Sequence, residues 1–414
     1  PSSGIWQSVW LEFVGEDNIA DYLLRSDFDH MAFGGEITTA NGVADKLTLT
    51  ATFEGKVVAE QSIAFGGKHV DYYVKLPVTA FDGYDWSPEN PRLVYVDFAL
   101  YSGGKLVDLA HTRFGMCKVS VDEYGKLCLN GRPYYQRLVL DQGYWKESGI
   151  TAPSAEALKR DIELAKAMGF NGARKHQKTE DPYYCYYAEE LGFLTWCEMP
   201  SAYRYNAKEA TNLAEEWAEI VTTARNATSN VCYVPVNESW GVRNIPTDKA
   251  QQNFARSLYY LTKALDPERL VSTNDGFEAV NPTDILGVHD YDSETAAHFA
   301  KYDGGYDGMH PQGFALFADG EFYQGQPVLL SEFGGRAMKS DAKDGAWGYS
   351  GAAANVDEFL SQLSGILDGV YSHNFQGYCY TQLTDVQQEV NGLLTEDRQP
   401  KAALDTLKRI FEGK

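Results

Sequence analysis

Val234-Pro235-Val236-Asn237-Glu238-Ser239-Trp240 is the stretch that decides the fold of this chain, together with Val328-Leu329-Leu330-Ser331-Glu332-Phe333-Gly334-Gly335. Each stretch is a short apolar run that ends in a glutamate followed by small or aromatic residues. A carboxylate in the middle of a buried sheet would cost free energy, so both glutamates are expected at the carboxyl ends of strands that open onto a cleft. Alternating α/β folds keep their active sites at that end. Glu238 and Glu332 are therefore the candidate catalytic pair.

The sequence around these stretches has the pattern of a parallel barrel. From about residue 118 onward, short apolar runs alternate with helical stripes, which is typical of repeated β-α units. The eight strand candidates are residues 138–140, 171–175, 193–197, 231–237, 270–273, 285–289, 328–331 and 377–381. The unit after 285–289 lacks a clear helix and has a Gly- and Tyr-rich stretch, 302–313, instead. We predict a (β/α)8 barrel over residues 118–414 with an irregular sixth connection, which brings Glu238 and Glu332 to the same rim.

In the preceding part of the chain, apolar residues recur with a period of two. Between about residues 13 and 117, apolar and polar residues alternate, as in the runs 47–53 and 94–100, with Gly, Asp and Asn between the runs. This alternation predicts a β-sandwich of about the size of an immunoglobulin-like module. The chain is therefore expected to be a multidomain protein, with an all-β sandwich followed by a TIM barrel.

Composition limits the classes of ligand and location. The chain has 414 residues, 44% of them hydrophobic, which is ample for two or three domains, and its net charge of -22 argues against nucleic-acid binding. No apolar stretch is long enough to span a membrane and no signal segment is visible, so a cytoplasmic location is favoured. A homo-oligomer stays open. Six cysteines show no paired spacing and are expected to be small buried thiols: Cys117, Cys128, Cys185, Cys197, Cys232 and Cys379.

Two carboxylates on one rim are suited to glycosidic bonds. Hydrolysis needs an acid on the leaving oxygen and a second carboxylate facing the anomeric carbon. A gap of about 5–5.5 Å gives retention and one of about 6.5–9.5 Å gives inversion, and the sequence leaves this choice open. Asn237 can hydrogen-bond a substrate hydroxyl, while Tyr291 and Arg174 are candidates to keep the nucleophile ionised.

Other residues on the same rim have two possible roles. Glu198 ends the third strand and is expected to anchor neighbouring side chains by hydrogen bonds rather than to donate a proton. His289 lies on the sixth strand and either serves the cleft or is a satisfied core histidine. Trp347 and Tyr349, in the loop after the seventh strand, either stack on a sugar or hold the loop in place. A tyrosine cluster at 183–187 is interpreted as helix packing.

Several motifs, in one order and at domain-scale spacing, resemble glycoside hydrolase family 2. They are Trp86-Ser87-Pro88-Glu89-Asn90-Pro91-Arg92-Leu93, Arg113-Phe114-Gly115, Leu129-Asn130-Gly131-Arg132-Pro133, the segment 230–240, the run 329–335 and the segment 391–401. The resemblance implies a retaining exo-β-glycosidase that acts on terminal β-linked sugars, most similar to a β-galactosidase. It also implies Glu238 as acid/base, Glu332 as nucleophile, and residues 1–12 as the last strand of a jelly-roll sugar-binding domain.

Departures from the family pattern leave alternatives open. The chain has Asn391-Gly392-Leu393 where glucuronide-cleaving relatives carry Asn-x-Lys, which disfavours a β-glucuronidase. Arg174-Lys175-His176 also departs from the Arg-x-x-His spacing of those relatives. A β-mannosidase, an arabinosidase or a non-catalytic carbohydrate-binding fragment stays possible. No cofactor is expected, and no ligand set demands a metal.

Overall fold

Two antiparallel sheets form the amino-terminal part of the protein. The computed structural model describes residues 4–78, 83–292, 296–341, 344–349 and 351–414. One sheet has the order β1-β2-β5, the other β4-β3-β8-β9, and β6 and β7 form a short ribbon. The strands are β1 (Ile19–Asp27), β2 (Ala32–Thr39), β3 (Lys46–Phe53), β4 (Lys56–Ala64), β5 (His69–Lys75), β6 (Trp86–Ser87), β7 (Asn90–Pro91), β8 (Val94–Ser102) and β9 (Lys105–Phe114).

Period-two alternation explains why these strands form two facing sheets. In β3 every second side chain is buried, and in β8 Val94, Val96, Phe98 and Leu100 are fully buried. Side chains of both sheets, including Phe33 of β2, share one hydrophobic core. The alternation predicted for this region is confirmed. The segment ahead of it, residues 4–17, forms no strand in the described structure, so the jelly-roll assignment of residues 1–12 stays a prediction.

A small antiparallel sheet joins this part to the barrel. It contains β10 (Val119–Val121), β11 (Leu127–Leu129) and β12 (Arg132–Pro133). Its apolar residues pack against the interior of the barrel. Leu127 and Leu129 share a hydrophobic cluster with Leu138 and Trp196. The six cysteines are unpaired, as predicted, and all are buried except the half-buried Cys185.

An eight-stranded parallel sheet, which fits a (β/α)8 barrel, forms the rest of the fold. Its order is β17-β16-β15-β14-β13-β22-β19-β18, and Asp284 N donates to Val271 O (2.8 Å) between the two end strands. All eight predicted strands are present, with bounds shifted by a few residues. They are β13 (Gln136–Asp141), β14 (Gly172–Lys175), β15 (Leu194–Glu198), β16 (Asn230–Val234), β17 (Leu270–Val271), β18 (Leu286–His289), β19 (Val328–Gly334) and β22 (Gly377–Thr381), with β20 (Ala337–Met338) and β21 (Ala352–Ala353) in a separate pair.

Helices surround the parallel sheet. Ser154 caps the first helix as predicted, since its side chain accepts a hydrogen bond from Ala157 N, and Gly169 follows the helix end with φ +94°. The sixth connection is irregular, as predicted, with 3-10 turns at Ala296–Gly304 and Pro311–Gly313. The helices are α1 (Ala155–Ala167), α2 (Pro182–Leu191), α3 (Ala207–Ala224), α4 (Lys249–Leu265), α5 (Val356–Ser372) and α6 (Leu404–Phe411), and a further 3-10 turn is Lys339–Asp341.

Alternation along the barrel strands decides which side chains enter the cleft. Leu138 and Leu140 pack in the barrel interior, whereas Val139 packs with the outer helices. By the same rule Arg174 of β14 points inward and its neighbour Lys175 points outward. Within the described ranges, no helix has the length and apolar content that crossing a bilayer requires.

Candidate active site

Arg174 is the hub of the polar cluster at the carboxyl ends of the barrel strands. Its side chain is 0% exposed and donates to Glu198 Oε2 (2.7 Å) and Glu332 Oε1 (3.0 Å). It also contacts Asp275 Oδ2 (2.9 Å) and hydrogen-bonds Asn237 Oδ1. Although burial opposes its charge, these carboxylates raise the pKa of Arg174 well above the usual value. A planar guanidinium with several fixed donors can orient several side chains at once.

Glu332 is held from two sides. It lies inside β19 rather than just beyond its end, and its side chain is 5% exposed. Tyr291 Oη donates to Oε2 (2.6 Å), while Arg174 donates to Oε1 (3.0 Å). The two donors fix the orientation of the carboxylate. The two residues that the sequence selected as partners of this glutamate are thus in contact with it.

Glu238 lies beyond the end of its strand, in a strained loop. β16 ends at Val234, and the chain continues to an isolated bridge between Asn237 and Asp275. Glu238 and Ser239 both have positive φ, 49° and 55°, which costs about 1–3 kcal/mol for each such residue. Glu238 N donates to Asp275 O (3.0 Å), which helps to fix the turn. The strained turn leaves the Glu238 side chain 26% exposed, the more open of the two glutamates.

His289, at the end of β18, connects Glu238 to Asp275. Its Nδ1 lies 2.8 Å from Glu238 Oε1 and its Nε2 lies 2.9 Å from Asp275 Oδ2. Burial disfavours the charged imidazole, but Glu332, Asp275 and Glu238 together raise the pKa of His289 to about 10. Burial likewise opposes ionisation of Glu238, but the hydrogen bond from His289 and the charges of His289, His176 and Arg174 together outweigh it, so the pKa of Glu238 is lowered.

Two glycines make room for this chain of contacts. A Cβ on Gly276, where φ is +110°, would lie 2.6 Å from the His289 ring, and a Cβ on Gly287 would lie 1.8 Å from Asp275 Oδ1. Any larger residue at either position would displace the imidazole or the carboxylate. Glycine at these two positions therefore leaves the space that the His289 ring and the Asp275 carboxylate occupy.

The two glutamates approach each other closely. A carboxylate oxygen of Glu238, the Nδ1 or Nε2 atom of His289 and a carboxylate oxygen of Glu332 all lie within 4.8 Å of one another. These three residues are the group that could hold a metal ion in the described part of the chain. His289 Nδ1 and Glu332 Oε2 already make hydrogen bonds, to Glu238 and Tyr291 respectively. The expectation that the site needs no metal stays a prediction.

One buried polar atom near Arg174, Asn237 Nδ2, has no partner in the described structure. Asn237 is 1% exposed, so a missing partner is costly. His176 Nδ1 lies 3.4 Å from Glu198 Oε1 and 3.7 Å from Glu332 Oε1, which places the imidazole beside both carboxylates. An unpartnered amide of this kind is available to a hydroxyl of a bound sugar.

The aromatic loop after β19 forms one wall of the cleft. Tyr349 stacks on Tyr291 with ring centroids 3.8 Å apart, and Trp347 meets Tyr349 edge-on at 5.3 Å. Trp347 is 45% exposed, so its ring is free to contact a ligand. Sequence reasoning treated Trp347 and Tyr349 alike, but the structure brings Tyr349 closer to Glu332, through Tyr291.

Several residues of the cleft escaped the sequence analysis. Asp275 resembles an ordinary turn residue within Asn274-Asp275-Gly276, although it contacts both Arg174 and His289. The pKa of Asp275 is lowered, because the charge of Arg174 and the hydrogen bond from His289 outweigh burial. Glu389 was also missed. Its only sequence signal is a carboxylate shortly before the Asn391-Gly392 motif.

A separate cavity of about 620 Å³ lies outside the barrel. Trp6, Cys185 and Thr195 contribute to its lining, together with residues of α3. Neither Glu238 nor Glu332 lines it, so it is not the candidate site.

The chain is similar to known glycosidases in sequence and in fold. No family model matches the chain. A putative β-glucuronidase of Formosa agariphila is 28% identical over 210 residues, 49% of this chain and 25% of that protein. A β-galactosidase of Pseudoalteromonas haloplanktis is 24% identical over 306 residues, 69% of this chain and 28% of that protein. The crystal structure of a β-galacturonidase of glycoside hydrolase family 2 from Eisenbergiella tayi has a TM-score of 0.75 and 18% identity, covering 97% of this chain and 73% of that one.

These relatives are glycoside hydrolases, and the resemblance to glycoside hydrolase family 2 found in the sequence is confirmed. The structural likeness, at 18% identity, concerns the fold alone. The chain spans about a quarter of the length of the curated relatives it matches, 25% and 28% of the two named above.

Proposed function

We propose that this chain, which resembles glycoside hydrolase family 2, carries the catalytic centre of a retaining β-glycosidase. The observation that supports this most is the short approach of Glu238 and Glu332, whose nearest carboxylate oxygens lie within 4.8 Å. Retaining enzymes hold their carboxyl groups about 5–5.5 Å apart, whereas inverting enzymes leave room for a water between them.

Glu332 is the proposed nucleophile. Its two oxygens accept from Tyr291 and Arg174, so the carboxylate is oriented before substrate arrives. It attacks the anomeric carbon, the bond to the leaving oxygen breaks, and a glycosyl ester forms. Tyr291 and Arg174 then stabilise the same carboxylate when it leaves in the second step.

Glu238 is the proposed acid and base. The acid role requires a proton on Glu238, and the pair of Glu238 Oε1 and His289 Nδ1 can hold one between them at 2.8 Å. When that proton passes to the leaving oxygen, the ionised Glu238 becomes the base for the incoming water. The partly exposed position of Glu238 gives that water a route into the cleft.

The remaining predicted residues have supporting roles in this proposal. Asn237 and Trp347 are proposed to bind the sugar, one by a hydrogen bond and one by stacking. Glu198 holds Arg174, and His289 holds Glu238, so both are positioning residues.

Two observations favour different sugars as the glycone. The sequence motifs resemble β-galactosidases most, and a β-galactosidase is among the relatives. Relatives named as β-glucuronidase or β-galacturonidase support a uronide at least as well. We propose a β-linked terminal sugar, with a galactoside as the first substrate to test.

The domain division is part of the same proposal. We propose residues 13–117 as an immunoglobulin-like module and 118–414 as the barrel domain. Two sheets with the orders β1-β2-β5 and β4-β3-β8-β9 around one core support the first assignment.

Proton NMR of 4-nitrophenyl β-galactoside hydrolysis tests the function. We expect the β-anomer of galactose to appear first and to mutarotate afterwards. First appearance of the α-anomer would contradict double displacement. Failure to hydrolyse any of a panel of aryl β-glycosides, with sugar binding still measurable by calorimetry, would favour the non-catalytic alternative.

A further inference from the structure

The turn that carries Glu238 is held by two side chains from the loop after β17. Ser239 N donates to Asn274 Oδ1 (3.0 Å), and Asn274 Nδ2 donates back to Ser239 Oγ (3.0 Å). Ser239 Oγ in turn donates to Glu278 Oε2. Ser239 and Asn274 are 2% exposed and Glu278 is 9% exposed. These three residues, which we call the Ser239 cluster, therefore meet inside the protein with each donor matched to an acceptor.

The Ser239 cluster lies where the backbone is strained. Glu238 and Ser239 are consecutive residues with left-handed φ, and neither is a glycine. Such a conformation persists only where the surrounding contacts outweigh its cost. Glu238 N is held by Asp275 O (3.0 Å), and the cluster holds both the N–H and the hydroxyl of Ser239. The cluster therefore fixes the second residue of the strained pair.

The cluster is itself attached to the irregular sixth connection. Glu278 N donates to Ala315 O (2.7 Å), and Ala279 N donates to Leu316 O (2.9 Å). These bonds tie the backbone around Glu278 to a different part of the chain. Glu278 is therefore held in place independently of Ser239, so its carboxylate can fix the serine.

Ser239 is placed to act through its neighbour rather than on a substrate. Its side chain is buried, and its one O–H is used by Glu278. Any effect of the cluster on a reaction in the cleft is therefore expected to pass through Glu238, the adjacent residue.

The placement of Glu238 is critical for its proposed role. Its Oε1 lies 2.8 Å from His289 Nδ1, and a carboxylate oxygen of Glu238 lies within 4.8 Å of one of Glu332. A general acid must come within hydrogen-bond reach of the leaving oxygen. A displacement of about 1 Å can cost about 10²-fold in rate. The backbone turn at 238–239 decides from where this side chain extends.

We propose that Ser239, Asn274 and Glu278 are positioning residues that hold Glu238 in the geometry required for proton transfer. This inference rests on the proposed glycosidase function and deepens it. It gives the strained turn a purpose, since the strain is maintained where the acid/base is held.

Leaving groups of different acidity test the inference in the Ser239→Ala variant. A 2,4-dinitrophenolate departs without a proton, whereas a phenolate requires one from Glu238. We expect kcat/KM to fall by about tenfold or more for phenyl β-galactoside, but by less than about twofold for 2,4-dinitrophenyl β-galactoside. An equal fall for both substrates would reduce Ser239 to a structural role. Unchanged kcat/KM for the phenyl substrate would also overturn the inference.

Two variants of Glu278 separate hydrogen bonding from charge. Glu278→Gln keeps an oxygen that can accept from Ser239, whereas Glu278→Ala removes it. We expect the ratio of the two kcat/KM values to stay within about threefold of wild type in Glu278→Gln and to change by about tenfold in Glu278→Ala. Equal ratios in the two variants would contradict the role of this hydrogen bond.

Thr262→Val is the matched control. It breaks another buried hydrogen bond, from Trp217 Nε1 to Thr262 Oγ1 (2.8 Å), between α3 and α4. We expect a lower thermal unfolding midpoint and an unchanged ratio of the two kcat/KM values. A ratio that changes as much as in Ser239→Ala would show that general destabilisation explains the effect.

Hydrogen exchange keeps the inference testable if no glycoside is hydrolysed. Mass spectrometry follows amide deuteration in peptides spanning 235–242 of the wild type and of Asn274→Ala, Ser239→Ala and Thr262→Val. Loss of the cluster should speed exchange there by about fivefold or more in the first two variants, and Thr262→Val should not. Unchanged exchange in both folded cluster variants would contradict the positioning role. Faster exchange without hydrolysis by the wild type would refute the glycosidase function while leaving the cluster's hold on the turn supported.

Discussion

Arg174 and Lys175 are adjacent residues at the end of one strand, and both are buried, yet their surroundings differ in charge balance. Lys175 pairs with Asp141 and with Glu180 (2.9 Å), on the outer side of the barrel. That outer cluster contains three cations and three carboxylates: Lys175, Lys178, Arg398, Asp141, Asp161 and Glu180. The inner cluster around Arg174 has an excess of carboxylates and leaves Asn237 Nδ2 without a partner.

The difference indicates what each cluster is for. A balanced, fully paired buried cluster satisfies its own charges and fixes local structure. An unbalanced cluster open to a cleft keeps unmet hydrogen-bonding capacity and perturbed pKa values, which are features of sites that bind and react. Stability should therefore depend on the outer cluster and activity on the inner one.

Glu332→Gln should give the largest effect. Loss of the nucleophile should reduce kcat at least about 10⁴-fold in hydrolysis of 4-nitrophenyl β-galactoside. The thermal unfolding midpoint should not fall, because the variant removes one charge from a cluster with too many carboxylates. A variant that keeps its activity, or that unfolds at much lower temperature, would break the comparison.

Lys175→Met should have the opposite profile. Removing the lysine leaves Asp141 and Glu180 underpaired in a site where the lysine side chain is 2% exposed. We expect the free energy of unfolding, from urea titration, to fall by about 3–5 kcal/mol. The kcat per folded molecule should be unchanged. Lost activity in fully folded Lys175→Met protein would contradict a purely structural role for the outer cluster.

Arg174→Lys sharpens the comparison because charge is kept and geometry is lost. A lysine cannot reach Glu198, Asn237 and Glu332 together with a planar fork. We expect kcat/KM to fall by about 10²–10³-fold. Circular dichroism serves as the control for folding. Near-normal kcat/KM would show that only the positive charge matters.

His289→Asn tests whether His289 shares the proton that Glu238 donates. Glu238 and His289 titrate as a pair, and the pKa of His289, raised to about 10, keeps one proton in the pair until alkaline pH. In the variant that proton must stay on Glu238 alone. The basic limb of the kcat/KM profile should therefore move to lower pH. If the basic limb stays in place, the proton comes from elsewhere.

Much of the fold could be predicted because the spacing of apolar residues follows the period of each secondary structure. Alternation gave the two sheets, and apolar runs gave all eight barrel strands, because burial imposes those spacings. The strand bounds were less accurate: residues 235–237 lie past the end of β16, where an isolated Asn237–Asp275 bridge replaces a continuous ladder, and Glu332 lies within β19. The short helix α6 was missed because eight residues carry little periodic signal.

The candidate site was predicted only where a residue lies at or just beyond the carboxyl end of a recognisable strand. Arg174, Glu198, His289 and Glu332 are of this kind, and the structure brings them together. Asp275 was missed because β17 has only two residues, and its role depends on contacts across the barrel. Glu389 was missed because its contact with Gln142 joins residues far apart in sequence. Separations such as the Glu238–Glu332 approach follow from barrel closure and cannot be read from spacing.

Covalent labelling tests the central claim most directly. The protein is incubated with 2,4-dinitrophenyl 2-deoxy-2-fluoro-β-galactoside, whose fluorine slows the second step so that the glycosyl ester accumulates. Intact-mass and peptide mass spectrometry should find one fluorosugar attached to Glu332, and the Glu332→Gln variant should remain unlabelled. A fluorosugar attached to Glu238 or to another residue would contradict the assignment of Glu332 as the nucleophile.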